Sequence, residues 1–150
     1  MNGMKNLLFV CDLNVCRSQM AQAIVNEVYG SDHHADSAGL YASYGRPMIY
    51  DAKAALIRNG YDEKKLRAQV SKPLTIELIR ESDVVVGVTS KHADEIRMRF
   101  PEFADKITTF DIGISPPADY DADSYDECFY ALCREIEKLL CPDGSKWRSK

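Results

Sequence analysis

The sequence predicts an α/β fold, a single three-layer domain with a central twisted parallel sheet of about four strands and helices on both faces. Three observations carry this. Leu7-Leu8-Phe9-Val10 and Val84-Val85-Val86-Gly87-Val88 are continuous apolar runs without alternation, as expected of strands buried on both faces. Segments with helical periodicity alternate with these runs, which implies parallel strands joined by helical crossovers. The 150 residues contain no internal repeat, low-complexity stretch or domain boundary, and suffice for one core.

The first strand runs from Lys5 to Val10. Arg17 to Tyr29 then places Met20, Ile24 and Val28 on one helical face, and Gly30 stops the helix. His33 to Ser37 reads as a short strand with little signal, followed by a Gly- and Tyr-rich loop to Pro47. Asp51 to Asn59 is a second helix ended by Gly60. Ser71 to Glu81 has Leu74, Leu78 and Ile79 at helical spacing, with Pro73 in its first turn. Ser90 caps a helix that Pro101 ends, and Lys106 to Phe110 is the last strand. After an acidic loop, Asp111 to Asp123, Ser124 and Glu127 form a capping box for a final amphipathic helix. Pro142 and Gly144 end that helix, and the remaining tail to Lys150 reads as frayed.

Composition narrows the function. A net charge of -4 argues against general nucleic-acid binding, which needs a basic face. No apolar run approaches the roughly 18 residues of a membrane span, and the first five residues lead into a strand rather than a signal peptide. The five cysteines have neither disulfide-framework nor metal-ligand spacing, so free thiols in a reducing cytoplasm are expected. A monomer or weak dimer without cofactor or metal fits this reading.

The chemistry is concentrated in Cys11-Asp12-Leu13-Asn14-Val15-Cys16-Arg17-Ser18, between the first strand and the first helix. Loop N–H groups and a helix N-terminus form an anion site, and ligands of parallel sheets bind beyond the carboxyl ends of strands. A cysteine at the base of such a site is held as thiolate by the nearby cation and helix dipole. The geometry therefore suggests a nucleophile beneath a bound oxyanion.

These residues, followed by Met20-Ala21, resemble the low-molecular-weight protein tyrosine phosphatase family. The likeness continues through Ser37-Ala38-Gly39, Leu74-Thr75 with Glu77-Leu78-Ile79, Asp83-Val84-Val85, Thr89 with His92, and Tyr125 with Cys128. The resemblance implies hydrolysis of phosphotyrosine-type monoesters, on a phosphotyrosine protein or a small aryl phosphate, through a phosphocysteine on Cys11. Arg17 would clamp two phosphoryl oxygens, and the N–H groups of residues 12–18 would stabilise transition-state charge. Ser18 would donate to Cys11, while Asn14, tolerant of left-handed backbone, would hold the loop with support from Ser37. Gln69 aligns with a family histidine that supports the asparagine. Tyr41, Tyr44 and Tyr120 are candidate walls of the substrate cleft, and Cys16 is either packing or a redox partner of Cys11. His33, His34 and His92 read as surface or capping residues.

Three positions depart from the family pattern. Leu13 replaces a usual glycine, and would cost about 1 kcal/mol if its φ were positive. Asp12 puts a carboxylate beside a dianion site, with an outward orientation expected. The family's acid belongs to an Asp-Pro-aromatic motif about nine residues before the tyrosine matching Tyr125, yet that position is Pro116. Asp119 is the expected substitute, ahead of Asp121 and Asp111. Two other functions compete: arsenate reduction on the same scaffold, and slow or non-catalytic phosphate binding because the acid is displaced. The first wants a cysteine pair near the third-strand loop, where Val86 to His92 has none. Val15, aliphatic where arginine phosphatases of the family carry threonine, favours phosphotyrosine.

Overall fold

The computed structural model describes residues 5–141, so the reading of a frayed tail lies outside the described residues. In chain order the elements are β1 (Lys5–Cys11), α1 (Arg17–Val28), β2 (His33–Gly39), α2 (Tyr50–Arg58), α3 (Glu63–Arg67) and α4 (Ile76–Glu81). Then follow β3 (Val84–Gly87), α5 (Ser90–Arg99), a 3-10 turn (Pro101–Lys106), β4 (Ile107–Thr109) and α6 (Ala122–Leu140). The strands lie in the order β2-β1-β3-β4, all parallel.

The unbroken apolar run of β1 is explained by its central position. Leu7, Phe9 and Cys11 pack with α1, α2 and α6 on one face, and Leu8 and Val10 pack with Ile79, Ala93 and Ile96 on the other. Both sets of alternate side chains are therefore buried. After β1 the chain lays β2 on one side and returns to lay β3 on the other. This reversal opens a crevice at the carboxyl end of β1, where Cys11 pairs with Gly39 of β2.

Several boundaries differ from the sequence expectation, each for a local reason. The helix expected from Ser71 begins only at Ile76, capped by the Thr75 hydroxyl, which accepts from the Leu78 N–H. Residues 71–74 are committed elsewhere: Lys72 N–H donates to Asn14 Oδ1, Leu74 N–H to the Gly39 carbonyl, and Ser71 Oγ to the Ser43 carbonyl. Asp121, not Ser124, caps α6, because Ser124 Oγ instead accepts the N–H of Ala118. Thr89 rather than Ser90 caps α5. Pairing along the whole length of β1 extends β2 to Gly39, and α3, capped by Asp62, was not anticipated.

Candidate active site

The loop between β1 and α1 is shaped from behind. The carbonyls of Cys11 and Asp12 accept the N–H groups of Leu40 and Tyr41, and the Val15 carbonyl accepts that of Ile49. The Asn14 carbonyl accepts from Gln19 Nε2, and the Cys16 carbonyl from the Met20 N–H. Five carbonyls are thus tied to groups outside the loop, and residues 11–17 line a cup at the end of β1. A Cβ on Gly39 would lie 2.6 Å from the Asp12 carbonyl oxygen and 3.0 Å from the Asn14 nitrogen, so only glycine lets β2 approach this closely. Helix α1 follows without a side-chain cap, so an anion in the cup would meet uncapped helix N–H groups.

Asn14 is the keystone. Fully buried and at φ 59°, it donates through Nδ2 to Ser18 Oγ at 2.7 Å and Ser37 Oγ at 3.0 Å. Its Oδ1 accepts from the Lys72 N–H at 2.9 Å. Ser18 Oγ lies 2.9 Å from Cys11 Sγ. Because Asn14 donates to Ser18, the serine hydrogen is free to point at sulfur. Asn14→Ala removes three hydrogen bonds of about 1 kcal/mol each and leaves alanine in a left-handed conformation costing about 1 kcal/mol more. Chemical denaturation should show a loss of roughly 3–4 kcal/mol. Asn14→Gly should recover only the backbone part, and a loss below about 1 kcal/mol for Asn14→Ala would contradict the keystone role.

Arg17, buried despite its charge, donates from Nη1 to the Ile114 carbonyl at 2.9 Å, and its Nη2 lies 3.5 Å from Asp12 Oδ2. Ile114 belongs to the loop between β4 and α6, and its N–H donates to the Val88 carbonyl. The same loop is fixed by buried Glu135, which accepts from the Ile112 N–H, and by the Ser124 bond to Ala118. Asp119 follows this anchor and lines the cleft with Cys11, Asp12, Arg17, Pro116, Pro117 and Tyr125. Burial pushes the Tyr125 phenol up to about 12, so it stays neutral beside Asp119. Asp121 is engaged in capping α6, and Asp111 pairs loosely with Lys138 at 3.9 Å.

Other candidates are redistributed. Leu13 does not have positive φ, since among described non-glycine residues only Asn14 and Tyr120 do, and its side chain sits half exposed at the rim. Asp12 is not simply turned to solvent: its carboxylate bridges Arg17 and, at 3.1 Å, His92 Nε2. His92 is correspondingly buried rather than a surface residue, although its backbone N–H does meet Thr89 Oγ1 in the cap of α5. Gln69 reaches Gln19 rather than Asn14, donating to the Gln19 carbonyl at 3.0 Å, so its support for the loop is one step removed. Cys16 packs against Cys128, whose hydrogen bond, with burial, pushes the Cys16 thiol up.

Tyr41 lines the cleft extension beside Asp12, Arg17 and Pro116, held by its hydroxyl on Glu95 and by Arg99 over its ring. Tyr44 instead faces a separate cavity with Tyr61 and Gln69, and Tyr120 is 94% exposed at φ 61°. Ile49 and Tyr125 take their places as cleft walls. Gln19, Gln22 and Ile49 also support or line the site, and no sequence motif marks them. The spacing of Gln19, Gln22 and Asn26 on α1, a polar line at i, i+3 and i+7, is the signal that points to the first two. Gln22 Oε1 accepts from Ser37, completing the support behind Asn14.

A parallel sheet with a Cys-x5-Arg loop at its switch point and Ser18 Oγ 2.9 Å from the cysteine sulfur is an arrangement suited to a cysteine-dependent phosphatase. The chain belongs to the low molecular weight phosphotyrosine protein phosphatase family, whose model matches residues 6–146. A protein-arginine-phosphatase of Geobacillus stearothermophilus is 33% identical over 137 residues, covering 89% of this chain and 90% of that protein. The low molecular weight protein-tyrosine-phosphatase Ptp of Acinetobacter johnsonii is 30% identical over 129 residues, 82% of this chain and 87% of that protein. An arsenate reductase of Brevibacillus brevis shares 29% over 107 residues, 71% and 75% of the two chains. The crystal structure of a low molecular weight protein tyrosine phosphatase from T. tengcongensis superposes with a TM-score of 0.83 at 29% identity, covering 92% of this chain and 99% of that one.

Proposed function

We propose that the protein hydrolyses phosphotyrosine-type monoesters on phosphoproteins or small aryl phosphates through a phosphocysteine on Cys11. The observation that carries this reading is the Cys11–Ser18–Asn14 network beneath a loop whose carbonyls are tied behind it. Cys11 sulfur attacks phosphorus, forming the S–P bond as the aryl O–P bond breaks, and Asp119 gives its proton to the departing oxygen. Water then attacks the phosphocysteine, Asp119 takes the water proton, and the thiolate leaves. Arg17 and the loop N–H groups neutralise the charge that builds on the equatorial oxygens.

Buried Val15 lines the cleft and offers no hydroxyl, and Ile49, Pro116 and Tyr125 add apolar wall, which suits an aromatic ring over a guanidinium. Arsenate reduction finds no support in cysteine placement: among the described residues, the three beyond the anion loop are Cys128 and Cys133 on α6 and Cys141 just after it, none beside β3. No helix of the described residues is long and apolar enough to cross a membrane, and the five cysteines, none in a disulfide among the described residues, suit a reducing cytoplasm.

Asp119→Asn separates the acid from the rest of the site. It should lower turnover of phosphotyrosine peptide by roughly 10²-fold and of p-nitrophenyl phosphate by far less, because nitrophenolate leaves without a proton. An equal, small effect on both would remove Asp119 from the mechanism. Comparing phosphotyrosine and phosphoarginine peptides by kcat/KM tests substrate class, and a preference for phosphoarginine would overturn the assignment to tyrosine.

A further inference from the structure

Asp12 looks misplaced, a carboxylate one residue from the nucleophile of a dianion site. Its bonds give it a role. Thr89 Oγ1 accepts the backbone N–H of His92 at 3.3 Å, which leaves the threonine hydrogen for His92 Nδ1, 2.8 Å away. Nε2 then carries the imidazole hydrogen and faces Asp12 Oδ1 at 3.1 Å. The other carboxylate oxygen faces Arg17 Nη2 at 3.5 Å, while Arg17 Nη1 is held by the Ile114 carbonyl at 2.9 Å. Both outer corners of the guanidinium are thus tethered, one to the acid loop and one to Asp12, and its remaining donors are left for the cup.

The ring is consistent with a neutral donor. Its proton affinity is lowered chiefly by burial and also by Arg17, against the opposing pull of Asp12 and Glu95. Asp12 itself is 52% exposed at its side chain, so packing does not fix it and the two hydrogen-bonding partners must.

We propose that Asp12, oriented by the His92–Thr89 pair, is a positioning residue that holds the Arg17 guanidinium in the plane required to clamp the phosphoryl group in the transition state. The inference rests on the reading of Arg17 as that clamp. A carboxylate beside the site also repels the substrate dianion, so holding Arg17 and binding substrate are opposed. Removing Asp12 should therefore impair the transition state and not the ground state.

The test is Asp12→Ala, at an exposed position where folding is not in question. With p-nitrophenyl phosphate, kcat should fall about tenfold while KM stays level or falls, and inorganic phosphate should inhibit at equal or lower concentration. The Arg17 Nε–H order parameter, measured by ¹⁵N relaxation without substrate, should drop in the variant. In the cycle with His92→Ala, the double variant should be no more than about twofold slower than Asp12→Ala alone, since both act through one contact. An unchanged kcat, a lower KM alone, or an Arg17 as rigid as before would overturn the proposal. Loss of Arg17 order in a protein lacking Cys11-dependent turnover would instead leave the positioning intact and remove the proposed hydrolysis.

Discussion

Cys11→Ser is expected to abolish turnover of p-nitrophenyl phosphate, a fall on the order of 10⁴- to 10⁶-fold. The size follows from what surrounds the sulfur. Serine hydroxyls act as nucleophiles when an adjacent base removes the proton. Here the neighbour within hydrogen-bonding distance is Ser18 Oγ at 2.9 Å, itself committed to Asn14, and the nearby His92 is turned to Asp12 and Thr89. Neither Ser18 nor His92 is placed to take a proton from a serine hydroxyl at position 11. The anion loop needs no sulfur to keep its shape, because its carbonyls are held by Leu40, Tyr41, Ile49 and Gln19. Inorganic phosphate should therefore still bind the variant, as calorimetry can show. Retention of even one per cent of wild-type turnover would place the nucleophile elsewhere. Cys133→Ser, on α6 away from the cleft, is the matched control and should leave kcat within twofold.

The sheet and the position of the loop are legible in the sequence because both are local. Uninterrupted apolar runs report burial on both faces, and a Cys-x5-Arg run between strand and helix marks a candidate anion site. What was not legible depends on side chains that meet across the chain. Ser71 to Leu74 read as helix by periodicity, yet the Lys72 and Leu74 N–H groups hold Asn14 and Gly39, and the Ser71 hydroxyl holds Ser43. His92 read as a cap, and the Thr89 bond is one, but its ring reaches Asp12 eighty residues earlier. The family pattern sets Gln69 against Asn14, whereas Gln19 lies between them. Only residue type points Tyr44 and Tyr120 to the cleft. The first faces another cavity, and the second sits in a left-handed turn that turns it to solvent. Asp119 stands in a loop whose spacing to Tyr125 differs from the family pattern. It lines the cleft because Ala118 is pinned to Ser124, a contact invisible to counting.

Arg17→Lys should cost roughly 10²- to 10³-fold in kcat, with a smaller rise in KM. Lysine keeps the positive charge, so attraction of the substrate dianion largely survives. What it loses is the planar fork, whose parallel N–H groups match two equatorial phosphoryl oxygens as charge accumulates on them. A second loss compounds the first. Arg17 Nη1 ties the Ile114 carbonyl, and with it the loop that carries the proposed acid Asp119, to the Cys11–Ser18 loop. An ammonium cannot reach the phosphoryl group, Asp12 and Ile114 with one fixed geometry, so clamp and acid should lose register together. Two readouts follow. Hydrogen exchange should rise in residues 112–120 of the variant and stay level in β1. The advantage of p-nitrophenyl phosphate over phosphotyrosine peptide should widen, as it does when proton delivery fails. A kcat within tenfold of wild type would show that charge alone suffices. An undisturbed loop would show that Glu135 and Ser124 hold it without help from Arg17.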